Sequence, residues 1–441
     1  MTDSHKTSRA TLLEQAHTNM PMGVADSYRY WGEENTVFIK SMEGCTLTDA
    51  DDTQYVDFRL AYGPIILGYR DSRVDQEVIN AITNTGTICG FSTALDSEVV
   101  ELVKSLCPNI EKMRFANSGT EAVLGAVRVA RGFTGRNKIV VVEGGFHGLY
   151  DEMMWKPDVD NWDASSGTAP EIKPFGAGIP ESSREHLETI ALNDAAALAE
   201  VFARVGDDIA AIVIEPIMGN CGSIASTPEY MQLLRDTCDQ NGSLLIIDEV
   251  KTGFRVARGG VQELYGVHAD LTTYAKAMGN GYPVAAFGGR ADVMDMISFS
   301  EGGVTHGGTY TANMIALSAA KATLTLLKDT DALATVSRVG AEIQQLLSRV
   351  FTHHGVEHRF AGPDSMFGVH FGSEVPQNYR DWKKTNSDLY TEFAHNLIKH
   401  GVMLEPDSRE PWFICEAHQH MDMAWLETVA MQSMQEALNN Q

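Results

Sequence analysis

No apolar run in the 441 residues approaches the ~18 to 20 residues of a membrane span. The first residues, MTDSHKTSRATLLEQAH, lack the apolar stretch of a secretory signal. Cysteine is sparse. Cys45, Cys89, Cys107, Cys221, Cys238 and Cys415 are scattered with no CxxC pair, which excludes a disulfide-built miniprotein and reads as reduced thiols in a cytoplasmic protein. Positive charge is also short: 34 Lys and Arg stand against 59 Asp and Glu, a net charge of −25. Such a chain repels phosphate backbones and anionic lipid, so neither nucleic acid nor a membrane is an expected partner. Low-complexity tracts and internal repeats are missing. So are GxGxxG and GxxxxGK[ST], which argues against a nicotinamide oxidoreductase and a P-loop enzyme.

What is present is an ordinary globular composition, long enough for two or three structural units. FIKSMEGCTLTDADDTQYVDF reads as a hairpin-like β stretch broken at Gly44 and Asp49–Asp52. From about residue 70, helices alternate with short strands that are apolar on both faces: KMRFA, KIVVV, AAIVIEPI, SLLIIDEV, LTTYAKA and PVAAFGGR. That alternation predicts a covered, mostly parallel sheet, an α/β architecture. Beyond the long helix in TYTANMIALSAAKATLTLLKDT, helices near 332–352, 385–400 and 423–438 with a strand in MFGVHF suit a smaller α+β unit. Residues 1–40 show little periodicity. Residues 157–186 form the longest irregular stretch, either a functional loop or a surface excursion.

Three places carry chemistry. Asn117-Ser118-Gly119-Thr120-Glu121-Ala122 follows a strand and opens a helix, where backbone N–H groups and the helix dipole cradle an anion; an ordinary capped helix start has the same look. Asp248 ends the apolar strand IIDEV, where α/β sheets bind ligands, and needs a cationic partner such as a protonated pyridine nitrogen; a cap or a metal carboxylate is the alternative. Lys276 lies 276 − 248 = 28 residues on, before a glycine-rich segment. A lysine held in a site forms a Schiff base with an aldehyde, whereas a lone lysine is ordinarily solvated surface.

The three together, with YGPIILGY, FANSGTEAVLGAVRVARGFTGR, GGFHG, VIEPIMGN, IIDEVKTGFRVARGG, LTTYAKAMGNGYPVAAFGGR and GGTYTAN in order, resemble the class III, fold-type I aminotransferases that use pyridoxal 5′-phosphate, and among them the glutamate-1-semialdehyde aminomutases. The resemblance runs from about residue 23 to 420. It implies a large domain with a seven-stranded, mostly parallel sheet over 71–320, and a small α+β domain built from 1–70 and 321–441. It implies Lys276 as Schiff-base lysine and Asp248 as partner of the pyridinium nitrogen, with Ser118, Gly119 and Thr120 as phosphate cradle. Phe146 would stack on the ring beside His147, Val250 would pack on the opposite face, and Glu215 and Asn220 would lie near the 3-hydroxyl. Thr309 would reach the phosphate of a neighbouring subunit, so a homodimer with sites at its interface is expected. The implied reaction is ping-pong transfer between amine and carbonyl substrates through pyridoxamine 5′-phosphate, with Lys276 as the proton carrier.

Substrate residues are expected at Arg29, where the aminomutases hold a carboxylate, at Tyr62, and at Glu410, which would pair with Arg29 when no carboxylate is bound. Tyr28, Trp31 and Trp155 are candidate aromatic walls. Tyr62 stands where aminomutases tend to have Trp, the segment 163–180 lacks their Gly/Ser-rich pattern, and GGTYTAN replaces the more usual GTLSGN. These departures favour a transaminase over the isomerase. His418, His420 and Asp422 lack the spacing of a zinc site, and His353-His354 reads as a solvated helix end.

Overall fold

The computed structural model describes residues 8–88, 90–166 and 168–440. Its centre is a seven-stranded sheet in the order Lys112–Ala116, Ala285–Gly289, Leu271–Tyr274, Leu244–Asp248, Ile209–Ile214, Lys138–Val142, Leu187–Ile190. Only Ala285–Gly289 runs against its neighbours; the remaining pairings are parallel. Ile209–Ile214 and Leu244–Asp248 are buried at every residue. They read as unbroken apolar runs because helices cover both faces. Gly119–Thr134 lies against the sheet through Ala122, Val123, Ala126, Val127, Val129 and Ala130, and it comes close because Gly125 has no side chain: a Cβ there would meet the Phe287 ring at 2.5 Å.

The two ends of the chain meet outside this sheet. Ile39–Glu43, Thr46–Asp49 and Gln54–Asp57 form an antiparallel meander, and Val402–Met403 joins it parallel to Gln54–Asp57. His358–Ala361, Met366–Phe371 and Trp412–Phe413 make a second antiparallel sheet. The helices Ala332–His353, Ser387–Lys399 and Met423–Asn439 pack on this region.

Several details differ from the sequence reading. Arg9–Asn19 is helical, capped by Ser8. It buries only Leu13 and Ala16, too few apolar positions to leave a periodic pattern. Within 157–186, Ile172–Pro174 pairs with Trp155–Pro157, so part of the irregular stretch is a β ribbon. His354 is not simply solvated: its ring lies 3.2 Å from the Met431 carbonyl. Cys45, Cys107, Cys221, Cys238 and Cys415 are buried free thiols, and Cys89 lies outside the described residues. Among the described residues no helix is long and apolar enough to cross a membrane.

One buried cation ties these parts together. Arg255, 1% exposed, donates to the carbonyls of Gly63, Ile65, Ser365 and Ile414 at 2.8, 2.8, 3.2 and 2.7 Å, with the Phe413 ring 5.3 Å away. Burial pulls its pKa down to about 10, so it remains charged at neutral pH. Arg255→Leu strips the donors from four buried acceptors, each costing about 1–3 kcal/mol when left bare. The expected loss of stability is about 3 kcal/mol or more, read from the urea midpoint at unchanged m-value.

Candidate active site

Five strands deliver their C-terminal ends to one edge of the sheet, where ligands bind in this architecture. From these ends come Ser118–Thr120, Gly144–Gly148, Glu215, Asp248 and Lys276. Lys276 lies just past its strand, which stops at Tyr274, and opens a short turn with a backbone φ of +50°. A lysine adopts that left-handed conformation at a cost of about 1–2 kcal/mol, so the surroundings must impose it. Asn280, four residues on, supplies the constraint. Its side chain accepts from the N–H groups of Ile66 and Leu67, both at 3.0 Å, and donates to the Gly68 carbonyl at 3.0 Å. The YGPIILGY segment is thereby pinned to the lysine loop.

A cavity of about 130 Å³ gathers Gly119, Thr120, Phe146, His147, Glu215, Asp248, Val250, Lys251 and Lys276. Asp248 is buried with both oxygens engaged: Oδ1 accepts from the Thr273 hydroxyl at 2.8 Å and the Val250 N–H at 3.0 Å, and Oδ2 lies 2.8 Å from His147 Nδ1. Burial works against protonation of His147, but the Asp248 carboxylate outweighs it and the His147 pKa is raised. Burial raises the Glu215 carboxyl, although its oxygens accept from the N–H groups of Phe146 at 2.9 Å and Gly219 at 3.1 Å. Lys276 is pulled down to about 7, first by burial and then by the charge of Lys251. A substantial share of its amine is therefore neutral and nucleophilic near neutral pH.

The cavity fits a flat, phosphorylated cofactor with a basic ring nitrogen. Ser118 caps its helix by accepting from Glu121 N at 3.2 Å, which leaves the first N–H groups of the helix, at Gly119 and Thr120, without intrahelical partners. A Cβ on Gly119 would sit 3.0 Å from Val250, filling the approach to those groups. His147 Nε2 is buried with no partner.

Phe146 separates this cavity from an outer one of about 140 Å³, lined by Tyr28, Tyr62, Trp155, Phe175, Asn220, Tyr379, Glu405, Asp407, Arg409 and Glu410. Here the structure departs from the expected pairing. Arg29 is exposed and bonds Asp26 at 2.6 Å, while Glu410 bonds Lys251 at 2.9 Å; another arginine, Arg59, holds Glu405 at 3.0 Å. The reason is local: Asp26 lies within one short turn of Arg29 and captures it. Trp31 is not a wall of the cavity; it lies under the Arg59 guanidinium, 4.8 Å from the ring centroid. Thr309 is exposed and lines a separate cavity of about 460 Å³ with Phe91, Thr93, His306 and Gly308. His418 is buried, stacked on Phe58 and accepting from Cys415 N, whereas His420 is exposed and Asp422 caps the last helix. Lys251, Thr273, Arg59 and Glu405 were not singled out from the sequence. Only the position of Lys251 in IIDEVKTG, three residues after Asp248, could have flagged it.

The family model described as aminotransferase class-III matches residues 28–427. The chain belongs to the class III aminotransferases. A glutamate-1-semialdehyde 2,1-aminomutase of Methanothermobacter thermautotrophicus is 38% identical over 408 residues, covering 92% of this chain and 94% of the relative. Among solved structures, an omega-transaminase from Sphaerobacter thermophilus superposes with a TM-score of 0.90 at 25% identity over 99% of both chains. A transaminase with pyridoxal phosphate (PLP) bound gives 0.87 at 26% identity over 98% of both. This class III chain has the fold-type I architecture, and its cofactor is pyridoxal 5′-phosphate.

Gly148 offers a test of the cradle. Its φ is +104°, and a Cβ there would lie 2.8 Å from Thr120 Cα and Oγ1. Gly148→Ala should weaken cofactor binding about tenfold, equivalent to ~1.4 kcal/mol. Titration of the cofactor-free protein measures this, with an unchanged circular dichroism spectrum as the control.

Proposed function

We propose that the chain moves an amino group within one small carbon skeleton, as a glutamate-1-semialdehyde 2,1-aminomutase, working as a cytoplasmic homodimer. The carrying observation is the inner cavity, where an unpaired lysine amine faces a fixed, buried carboxylate. The curated relatives support the isomerase: the aminomutase of Methanothermobacter thermautotrophicus stands at 38% identity over 92% of this chain. The sequence departures at Tyr62, 163–180 and GGTYTAN favoured the transaminase; similarity along the whole chain outweighs them and reverses that order.

Bound pyridoxal phosphate supplies an aldehyde that takes up the amine and a ring that absorbs the electron pair released on carbon. The protein sets orientation and proton position. Lys276 would hold the cofactor and, once released, would take the proton from the substrate carbon that bears the amine and return one in the reverse direction, as general base and acid. Asp248 would pair with the ring nitrogen and keep it protonated, its carboxylate held in place by His147 and Thr273. Gly119 and Thr120 would offer N–H groups to the phosphate, and Phe146 and Val250 would enclose the ring. Thr309 is assigned to the partner subunit's phosphate, and Tyr62 and Glu410 to the substrate chamber.

A second reading, intermolecular transamination, is favoured by one observation. Tyr28, Tyr62, Phe146, Trp155, Phe175 and Tyr379 give the outer cavity an aromatic lining suited to an aryl amine.

Incubation with glutamate 1-semialdehyde and no added acceptor separates the two. The isomerase converts many equivalents per active site. Conversion that stops at about one equivalent and resumes only with a 2-oxo acid would sink it and leave the transaminase. Lys276→Ala should remove both the yellow band of the lysine-linked cofactor and turnover.

A further inference from the structure

Lys251 is a second lysine in the inner cavity, 6% exposed. It is built in with care. Its ammonium donates to the Gly219 carbonyl at 2.6 Å, the Glu410 carboxylate at 2.9 Å and the Asn220 side-chain oxygen. Its stem passes over residue 219 so closely that a Cβ there would lie 1.9 Å from Lys251 Cδ, so the glycine is required by the lysine. Glu410 and Asn220 line the outer cavity. Lys251 therefore sits at the junction of the two chambers.

We infer that Lys251 is a positioning residue whose ammonium keeps the amine of Lys276 neutral and nucleophilic. The inference rests on the assignment of Lys276 as the attachment point of the cofactor. Two ammonium ions in one small buried cavity repel, and one must give up its proton. The hydrogen bonds decide which. Lys251 has three acceptors, one of them ionic, whereas among the described residues no acceptor bonds to Lys276 Nζ. Lys276 is thus the one that deprotonates. The carboxylates oppose this effect: Glu410 lies behind Lys251, and Glu215 and Asp248 line the remaining walls. His147 faces the same cavity, and its ring, when protonated, acts in the same direction as Lys251. Without Lys251 the carboxylates would hold the proton on Lys276. The depressed Lys276 pKa, with burial as its first cause and Lys251 as its second, agrees with this division.

The test uses the full chain freed of pyridoxal phosphate. The rate of cofactor uptake, followed by the visible band of the lysine-linked form, is measured against pH without any amine substrate. Uptake needs the neutral amine, so its midpoint reports the proton on Lys276, near pH 7 in the natural chain. Lys251→Met should raise the midpoint by about one unit, slowing uptake about tenfold below the midpoint. Lys251→Arg, which keeps the charge, should restore it. Glu410→Gln should move the midpoint the other way, because it bares the Lys251 charge; this second variant decides the matter if Lys251→Met does not fold. An unmoved midpoint in a folded Lys251→Met chain, or an unmoved or raised one in Glu410→Gln, overturns the inference. Lys276→Ala separates the two levels. If it still forms the band, the site assignment itself falls; if it is blank while the other midpoints stay put, only the role of Lys251 falls.

Discussion

The Arg255 guanidinium donates to backbone carbonyls from three distant stretches of chain, and among the described residues no carboxylate pairs with it. A buried charge of this kind tolerates few alternatives, because any other packing leaves it and its acceptors bare. Its place in the chain gives it reach. It lies on the loop that carries Asp248, Val250 and Lys251, and its acceptors flank Tyr62 on one side and follow Glu410 on the other. The inner cavity is furnished by the strand ends of the sheet, and the terminal segments complete the outer one with Tyr28, Tyr62, Glu405 and Glu410. Arg255 fixes the distance between them, and with it the junction where Lys251 meets Glu410.

Around that junction the cations are already matched by internal anions: Arg29 with Asp26, Arg59 with Glu405, Arg409 with Asp407 and Lys251 with Glu410. A carboxylate entering the outer chamber would compete with a resident carboxylate instead of meeting a bare charge. Binding of an anion there would be an exchange of ion pairs, and an uncharged ligand would be penalised less than beside a bare arginine, since the arginine stays paired.

Strand-end chemistry was legible in the sequence because each residue sits at a place the backbone period fixes. Asp248 and the Ser118–Thr120 turn follow apolar strands whose length and pattern are plain, and Lys276 follows one helix-and-strand unit later. Six strands of the central sheet were legible for the same reason, whereas the edge strand Leu187–Ile190 lies in a stretch without that pattern and the count of seven came from the family resemblance. Side-chain pairings between distant segments were not. Arg29 and Glu410 occupy positions from which a pairing could be expected, yet Asp26 and Lys251 are nearer competitors, and competition is a matter of three-dimensional distance. The helix Arg9–Asn19 was illegible because it buries two residues only. The antiparallel course of Ala285–Gly289 escaped notice because PVAAFGGR has the same apolar pattern whichever way it runs.

The parallel pairing of Gln54–Asp57 with Val402–Met403 joins strands that are made near opposite ends of synthesis. All seven strands of the central sheet, with Asp248 and Lys276, have left the ribosome before residue 402 exists. The nascent chain therefore carries the inner cavity while the outer one still lacks Glu405, Asp407, Arg409 and Glu410, and the N-terminal meander waits with an unpaired edge until its last strand arrives. Closure of the long loop between them comes late and is entropically slow. A chain cut short before residue 402 would hold the lysine and the carboxylate yet lack Glu405, Glu410 and the acceptor at Ile414: its inner cavity would be open to water on the side that these residues close.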